Sequence, residues 1–339
     1  MMKLSIMRDF FGAETLSSND TLIDTILNHW GYDKGPVNFI RASNNFVFKF
    51  FHAGKPCVLR LTDIEKVPYN DVVAELNFLK YLYKNNVCVN IPLKSLAEQE
   101  VEVCHTSIGV FYGVVFNYFE GCIYDIDELE EKQFELWGEA LGGLHQVSVN
   151  CSTIQRISHL DNLNATKHLL KGQEHAAHQE LLTLTHWLGT VQKTSRNYGL
   201  IHFDFELDNL IWDGDKVQII DFDSSISSWY VADIAFALRD LFENGVNLTN
   251  KYFVAFVKGY RKKMEVSQQD LHEIPMFLRL HNLETFVKLQ TIIDIETSTL
   301  HENPQWLIDL VNKLERKVKA YRESFSHHLP VKPDKKKTT

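Results

Sequence analysis

The hydrophobic pattern of this chain changes its period along the sequence, and this change constrains the fold more than any other feature. Within residues 37–61, the segments VNFIRA, NFVFKFF and CVLRLT are rich in β-branched and aromatic residues and are separated by polar or glycine-containing turns. Such segments are typical of antiparallel strands joined by hairpins. Further strand-like residues occupy 101–105 and 110–119, so the front of the chain is predicted to be rich in β-structure.

Helical spacing frames this region and dominates the rest of the chain. A helix is predicted to follow the capping residues 17–20 and to stop near Gly31, and others to cover 71–83 and 134–144, where apolar residues recur every three or four positions. The pair Asp127 and Glu130 resembles a capping box for the last of these. Residues 159–198 and those after Asp233 are also predicted to be helical, leaving strands only at 200–203, 210–212 and 217–220.

Length and pattern together predict an α+β fold in two parts. The 339 residues exceed one average domain, and 45% hydrophobic residues are enough for a sizeable core. We assign residues 1–119 to an N-terminal strand-rich part with a leading helix and 120–330 to a helical C-terminal part. Residues 331–339 are expected to be a disordered basic tail.

Charge and cysteine content narrow the class of protein. The five cysteines are single and odd in number, which indicates neither a disulfide framework nor a zinc site, and no apolar run approaches the length of a membrane span. The net charge of −9 does not favour binding to nucleic acid. We therefore expect a soluble cytoplasmic protein whose partner is neither nucleic acid nor a membrane.

The polar residues that carry chemistry follow two apolar strand-like segments. The run IHFDFELDNLIW contains Asp204 and Asn209, and twelve residues after Asn209 the run IIDFD contains Asp221. Carboxylates buried at strand ends require a cation or hydrogen-bond donors, and Asn and Asp oxygens suit Mg²⁺ shared with nucleotide phosphates. Asn209 and Asp221 are thus candidate metal ligands, and Asp204 is a candidate base for phosphoryl transfer.

The motif H-x-D-x-x-x-x-N followed by I-D-F-D resembles the aminoglycoside phosphotransferase and choline kinase family. Further matches are LGGLH at 141–145, DIA at 233–235 and FVKGY at 256–260, and the resemblance spans roughly residues 20–325. It implies a two-lobed protein-kinase-like fold that uses ATP or GTP with Mg²⁺. The implied reaction transfers the terminal phosphoryl group to a hydroxyl of a small molecule.

The resemblance also implies roles for individual residues. In the catalytic region it implies Asp204 as base, Asn209 and Asp221 as magnesium ligands, and His202 and Asp233 as supports of the loop. In the nucleotide region it implies that Arg60 contacts the phosphates and that Glu75 is the ion-pair partner of Arg60. It also implies that adenine binds at a hinge containing Phe116, Tyr118 and Phe119.

Three departures from the family pattern are visible. No G-x-G-x-x-G is present, and Ser43, Asn44 and Asn45 take the place of the loop that covers the phosphates. Arg60 replaces the usual lysine, which keeps the charge but changes its reach. Phe203 stands where the family most often has glycine, and the same loop carries additional acidic residues, Glu206 and Asp208.

Several alternatives remain open on sequence grounds. The motif could be a polar hairpin with turn hydrogen bonds, and the protein could be a protein serine/threonine kinase, although no D-F-G to A-P-E segment is recognisable. The missing glycine loop and Arg60 would suit a nucleotide-binding pseudokinase. A metal-dependent hydrolase could use His202, Asp204 and Asp221. The scattered histidines in 159–186 could suggest a second metal site, but their pattern favours a solvated helix face.

The acceptor and the oligomeric state are open. Aminoglycoside, choline, homoserine, a sugar and a protein serine are all compatible with the motif. Acceptor choice is expected to reside in the helical segments after Asp233, with aromatic side chains such as Trp229, Tyr230, Phe277 and Trp306, together with Arg279.

Overall fold

The structure is a computed structural model that describes residues 2–16, 22–242 and 245–327. The capping residues predicted at 17–20 and the basic tail predicted at 331–339 lie outside the described residues. Contacts divide the chain into two compact units. The first comprises residues up to His159 together with Lys193–Leu278, and the second comprises Leu160–Gln192 and the described residues from Arg279 onward.

The first unit contains an antiparallel sheet of six strands. The strands are β1 (Asn38–Ala42), β2 (Phe46–His52), β3 (Lys55–Asp63), β4 (Pro92–Leu93), β5 (Glu102–Thr106) and β6 (Gly109–Asn117). Their order in the sheet is β1-β2-β3-β6-β4, and β5 also pairs with β6. The predicted strands are confirmed, while the two-residue β4 carries no periodic signal and was not predicted.

Alternating burial explains why this sheet forms. Phe46, Phe48 and Phe50 on β2 are buried while the intervening residues are more exposed, the period of a strand with one buried face. Phe46 stacks on Phe10 with their ring centroids 3.8 Å apart. Phe10 lies on α1 (Leu4–Leu16), which was not predicted and which precedes the leading helix expected after residues 17–20, so α1 covers the sheet beside the β1–β2 hairpin.

Eleven α-helices are present in the described residues. In chain order they are α1 (Leu4–Leu16), α2 (Leu22–Leu27), α3 (Tyr69–Lys84), α4 (Glu131–Ser148), α5 (His159–Leu169), α6 (His175–Thr190), α7 (Tyr230–Ala237), α8 (Lys251–Tyr260), α9 (Gln268–Leu271), α10 (Ile274–Ile292) and α11 (Gln305–His327). A short 3₁₀ turn extends α2 to Trp30, and Gly31 follows with φ 63° as predicted for a helix end.

The start of α4 corrects one prediction. The pair Asp127 and Glu130 does not form the capping box, because a 3₁₀ turn (Ile126–Glu128) intervenes before the helix. Two reciprocal boxes form instead, one between Asp125 and Glu128 and one between Glu130 and Gln133. The acidic run therefore supplies caps for two successive turns rather than one.

Helices α4 and α8 approach so closely that glycine is required at their contact. A Cβ built on Gly259 would lie 1.8 Å from the carbonyl oxygen of Glu135, and one on Gly138 would lie 1.9 Å from that of Phe256. Real side chains do not tolerate such distances, so these glycines allow backbone to touch backbone. The close packing fixes α4, which carries His145 toward the candidate site.

Two small antiparallel ribbons complete the first unit. One pairs β7 (Tyr198–Ile201) with β10 (Ile226–Trp229), and the other is the hairpin of β8 (Leu210–Asp213) and β9 (Lys216–Ile219). Strands β7, β8 and β9 were predicted. Strand β10 was not, because the sequence ISSW has two small polar residues at its centre.

The second unit is helical and contains two ion pairs whose carboxylates are buried. Glu174 accepts hydrogen bonds from Arg322 at 2.8 and 2.9 Å, and Glu180 is bonded by Arg279 at 2.7 and 2.8 Å. Both carboxylates are almost fully buried. Among the described residues, no helix combines the length and apolar character needed to cross a bilayer.

Candidate active site

The loop after β7 is built around the buried carboxylate of Asp233. Its two oxygens accept hydrogen bonds from the backbone N–H groups of His202 and Phe203, each at 2.8 Å. The His145 Nε2 atom lies 3.0 Å from the same carboxylate, and both side chains are fully buried. Asp233 therefore fixes the backbone at the start of the loop, which is where the sequence placed its supporting role.

His145 and Tyr260 extend this buried network. Burial lowers the pKa of His145, although Asp233 opposes this, so the neutral ring donates from Nε2 and accepts at Nδ1. Burial raises the pKa of Tyr260, whose protonated hydroxyl lies 2.9 Å from His145 Nδ1. His145 thus links Asp233 to Tyr260 within the buried core.

His202 joins the loop to the second half of the motif. Its Nε2 lies 3.0 Å from the carbonyl oxygen of Ile220, and its Nδ1 accepts a hydrogen bond from the N–H of Asp204 at 3.3 Å. With both ring nitrogens occupied and no exposed surface, His202 is a structural histidine. It holds the loop against the residue that precedes Asp221.

Two residues of the motif have backbone angles that glycine adopts more easily. Phe203 has φ 72° and Asp221 has φ 66°. A left-handed φ in a phenylalanine is strained, and such strain persists only where surrounding contacts hold it. This geometry accounts for the glycine that the family most often has at the position of Phe203.

Asn209 connects the three polar residues of the motif. Its Nδ2 donates to the backbone oxygen of Asp204 at 2.9 Å and to Asp204 Oδ2 at 3.3 Å. Its Oδ1 faces the other way and, together with Asp221 Oδ2, meets the Nη2 atom of Arg41, at 3.3 and 2.5 Å. The oxygens of Asn209 and Asp221 therefore converge on one cationic group.

Asp221 has an oxygen that suits a further cation. Its Oδ1 is buried and has no hydrogen-bond partner in the described residues. Burial and the nearby carboxylate of Asp223 raise the pKa of Asp221 to about 7, while Arg41 and Arg60 lower it. A buried carboxylate oxygen without a donor is destabilising unless a cation neutralises it, so this donor set fits a divalent metal ion.

Arg60 and Glu75 form a closed ion pair. Arg60 Nη1 and Nη2 lie 2.6 and 2.8 Å from the two Glu75 oxygens, and the two side chains are only 7% and 3% exposed. Burial lowers the pKa of Arg60, but Glu75 more than offsets this and the net pKa is raised. The structure thus brings together two residues that the sequence paired only through the family resemblance.

The hinge aromatics differ in their exposure. Phe116 is 3% exposed, and its ring centroid lies 5.2 Å from the Arg60 guanidinium, so it belongs to the core. Tyr118 is half-buried with Lys49 Nζ 3.9 Å from its ring centroid, and Phe119 is half-buried too. The predicted adenine contact stays a prediction for these two rings and the hinge backbone.

The loop that replaces the glycine-rich segment is held by side chains. Asn45 Nδ2 donates to Asp223 Oδ2 at 2.8 Å, and Asn44 Nδ2 donates to the other oxygen at 3.3 Å. Asn45 Oδ1 accepts from Thr62 at 2.8 Å, and the Ser43 carbonyl oxygen accepts from the N–H of Met2 at 2.7 Å. Amide side chains thus fix a loop that the family usually builds from glycine.

The acidic residues of the loop play different parts. Glu206 pairs with Arg239 next to Asp204, whereas Asp208 is exposed. Burial and the neighbouring carboxylate of Asp204 together raise the pKa of Glu206 to about 8, although Arg239 lowers it. Glu206 therefore lies in the same electrostatic environment as Asp204.

Sequence reasoning missed two residues of this site and placed others wrongly. Arg41 and Asp223 were given no role: the second aspartate of IDFD was an available signal, whereas nothing in the sequence links Arg41, two residues before the SNN turn, to Asp221. Three of the aromatic residues expected at the acceptor surface belong instead to the buried core, namely Trp229, Tyr230 and Phe277. Arg279 is engaged by Glu180, and Trp306 is 38% exposed in the second unit.

No cluster of three or more histidine, cysteine, aspartate or glutamate side chains suited to a metal ion occurs in the described ranges. His159, for example, is fully buried, with Nδ1 2.7 Å from the Ser228 hydroxyl. The remaining histidines of that stretch, His168, His175, His178 and His186, form no such group with it. The pair of Asn209 and Asp221 is a different kind of set, because one of its ligands is an amide.

Comparison with known proteins places this architecture in a family. A family model described as the phosphotransferase enzyme family matches residues 39–266, about two thirds of the chain. Amicoumacin kinase of Bacillus subtilis strain 168 is 26% identical over 282 residues, which cover 79% of this chain and 84% of that protein.

Solved structures have the same fold. An amicoumacin kinase in complex with AMP-PNP and Ca²⁺ superposes with a TM-score of 0.76 at 19% identity, covering 92% of this chain and 94% of that one. A spectinomycin phosphotransferase gives a TM-score of 0.59 at 16% identity, with 89% and 98% covered. The predicted protein-kinase-like fold, with an antiparallel sheet in the N-terminal region and a helical C-terminal region, is confirmed.

The matched range contains the whole site, from Arg41 and the SNN loop to Asp233. The predicted family, the enzyme class and a kinase reaction on a small-molecule hydroxyl are confirmed at this level. This chain belongs to the phosphotransferase enzyme family, the family of the aminoglycoside phosphotransferases.

Proposed function

We propose that this enzyme uses ATP or GTP with Mg²⁺ and transfers the terminal phosphoryl group to the hydroxyl of a small molecule through Asp204. The observation that carries the proposal is the convergence of Asn209 and Asp221 on one cationic group while the same Asn209 holds Asp204. In this assignment residues 1–119 bind the nucleotide and residues 120–330 carry catalysis and the acceptor.

Asn209 Oδ1 and Asp221 are the proposed magnesium ligands. The partnerless Asp221 Oδ1 supports this choice, as does the presence of Ca²⁺ with AMP-PNP in the amicoumacin kinase of the same fold. When bound, the metal ion neutralises negative charge on the phosphates. The role of the chain is to hold the two ligand oxygens in place. The Asn209 side chain is held by its hydrogen bonds to Asp204, and the Asp221 side chain is oriented by the left-handed backbone conformation of that residue.

Asp204 is the proposed base. Its carboxylate would accept the proton of the acceptor hydroxyl as the new oxygen–phosphorus bond forms and the bond to the leaving nucleoside diphosphate breaks. The contacts that orient it include the amide of Asn209, the bond from its own N–H to His202 and a side-chain hydrogen bond with Glu206. In phosphoryl transfer such positioning contributes more than covalent chemistry.

The nucleotide contacts are proposed from the sheet. Arg60, held by Glu75, would provide fixed positive charge for the phosphates, and the loop of Ser43, Asn44 and Asn45 would cover them. The side-chain bonds of this loop to Asp223 support a defined loop in the absence of glycine. Tyr118, Phe119 and the adjacent backbone are the proposed adenine site.

Amicoumacin is the first acceptor to test, because an amicoumacin kinase is similar both in sequence and in fold. Spectinomycin, aminopropanol, choline and ethanolamine complete a panel drawn from the similar structures. Each would be incubated with the full chain, Mg²⁺ and ATP or GTP, and formation of the phosphorylated product would be followed by mass spectrometry.

Two variants decide the role of Asp204. Asp204→Asn should lower turnover on the accepted substrate by about 10²–10⁴-fold. Asp213→Asn makes the same chemical change at the exposed end of β8 and should leave turnover near that of the wild type. Equal turnover of Asp204→Asn and wild type would reject the base, and nucleotide binding without transfer to any acceptor would favour the pseudokinase.

A further inference from the structure

One arginine outside the family motif faces both proposed metal ligands. Arg41 is the fourth residue of the five-residue strand β1, and its Nη2 atom lies 2.5 Å from Asp221 Oδ2 and 3.3 Å from Asn209 Oδ1. The contact joins residues 180 and 168 positions apart in the chain. A guanidinium group therefore has the oxygens of Asn209 and Asp221 as its partners.

Asn209 Oδ1 is contacted by Arg41 Nη2 and cannot serve two cations at once, and a metal ion on the free Asp221 Oδ1 would lie beside the guanidinium that contacts Oδ2 of the same carboxylate. Mg²⁺ binds oxygen at about 2.0–2.1 Å and keeps several waters, which leaves no room for a guanidinium nitrogen within hydrogen-bond distance of the same atoms. Two positive groups at such separation also repel each other strongly. Occupation by one cation thus excludes the other.

We propose that Arg41 is a built-in competitor of the divalent cation, so that the metal ion binds Asn209 and Asp221 only by displacing the Arg41 guanidinium. This inference rests on the proposed function, because it uses the metal ligands assigned there. It makes Arg41 a positioning residue, which acts on the reaction through Asn209 and Asp221 rather than on the substrate.

The surroundings of Arg41 allow such an exchange. Its side chain is 32% exposed, and β1 is the edge strand of the sheet, paired only with β2. The pairing register of β1 shifts between Phe39 and Arg41, so the strand is irregular at this point. A single guanidinium nitrogen makes both contacts, unlike the two-nitrogen fork of Arg60 on Glu75.

Before the metal ion binds, the contact between Arg41 and Asp221 reduces the repulsion between neighbouring carboxylates. Asp221 is buried close to Asp223 and Glu75, and the Arg41 and Arg60 charges oppose theirs. Arg60 is committed to Glu75, which leaves Arg41 as the cation in direct contact with Asp221. The pair keeps the two ligand oxygens turned toward one point.

The test is a Mg²⁺ titration of the chelator-treated full chain without nucleotide, at constant ionic strength, with the melting temperature as readout. Arg41→Gln removes the competing charge and should reach half of its Mg²⁺-dependent stabilisation at a concentration lower by about tenfold or more, the factor expected when a charged hydrogen bond no longer has to be broken. Arg8→Gln is the matched control, because the same substitution there breaks an exposed pair with Asp9.

The outcomes are distinct. Equal Mg²⁺ midpoints for wild type and Arg41→Gln, or a higher midpoint for the variant, would overturn the inference. It would also be overturned if the Mg²⁺-dependent stabilisation of Arg41→Gln persisted after the additional substitution Asp221→Asn. Arg41→Lys provides a second test if the glutamine variant folds poorly, and its midpoint should lie between those of the other two proteins.

The acceptor assay separates this inference from the proposed function. Phosphotransfer that depends on Asp204, combined with coincident Mg²⁺ midpoints, would reject the competition by Arg41 alone. Separated midpoints without transfer to any acceptor would reject the proposed function and retain the competition.

Discussion

The site contains two arginine–carboxylate pairs that differ in how they are enclosed. Arg60 and Glu75 join β3 to α3 through two short hydrogen bonds, with both side chains less than a tenth exposed. Arg41 and Asp221 join β1 to the end of the motif through one nitrogen, with 32% and 15% of the side chains exposed. The enclosed pair is suited to fixing structure, and the open pair is suited to exchange.

The difference follows from where each arginine lies in the sheet. Arg60 is on β3, which is paired on both sides, with Arg60 opposite Val47 of β2 and Val114 of β6. Arg41 is on the edge strand, beside an irregular register. The same residue type therefore has a fixed position at the centre of the sheet and a replaceable contact at its edge.

Breaking the enclosed pair should have the largest effect. Arg60→Met leaves the Glu75 carboxylate buried without its partner, and we expect the free energy of unfolding to fall by about 3–5 kcal/mol. Chemical denaturation measures this change. Adding Glu75→Leu should recover part of the loss, because two apolar side chains need no counter-charge, and a double variant less stable than Arg60→Met would contradict this explanation.

A substitution at Asp233 tests whether a buried carboxylate bonded to backbone N–H groups contributes as much to stability as the Arg60–Glu75 pair. Asp233→Asn keeps the shape but removes the charge and one acceptor oxygen, leaving one of the N–H groups of His202 and Phe203 without its bond. We expect a loss of about 2–3 kcal/mol in unfolding free energy together with reduced turnover. A variant as stable as the wild type would show that the loop does not depend on this charge.

The two pairs also show what can be predicted from the sequence. Asp204, Asn209 and Asp221 are close in sequence, and their spacing after strand-like segments was enough to single them out, whereas the role of His202 came from the family resemblance. Arg60 and Glu75 were found because the family resemblance supplied their positions. The fold class followed from the change of hydrophobic period, which records the buried face of each element.

Other features have no signal of this kind. Arg41 meets Asp221 across 180 residues, and a single cation on a short strand has no period that reveals its partner. Strand β10 forms because its register with β7 satisfies backbone hydrogen bonds, although two of its four residues are serines. Long-range pairing of small or charged residues depends on the completed fold.

Removing the two side-chain hydrogen bonds of Asn45 should have an intermediate effect on stability. Asn45→Ala removes the bonds to Asp223 and Thr62 from a residue that is 2% exposed. We expect a loss of about 1–2 kcal/mol in unfolding free energy and a higher KM for the nucleotide, with a smaller change in kcat. Asn44→Ala is the comparison, since the longer 3.3 Å bond to the same carboxylate should matter less. Equal effects of the two substitutions would contradict the conclusion that Asn45, more than Asn44, fixes this loop to Asp223.

The smallest effect is expected at the Arg41–Asp221 pair, when the same conservative change is made at both arginines. Lysine keeps the positive charge but cannot form the two-nitrogen fork, so Arg60→Lys should lower the unfolding free energy by about 1–3 kcal/mol. Arg41→Lys, at a single-nitrogen contact that is partly exposed, should lower it by less than about 1 kcal/mol. Denaturation of both variants in parallel, in chelator and at low salt, measures the difference. If Arg41→Lys were as destabilising as Arg60→Lys, the Arg41 contact would be a fixed structural pair, because a guanidinium that is readily exchanged for a metal ion must contribute little to the folded state.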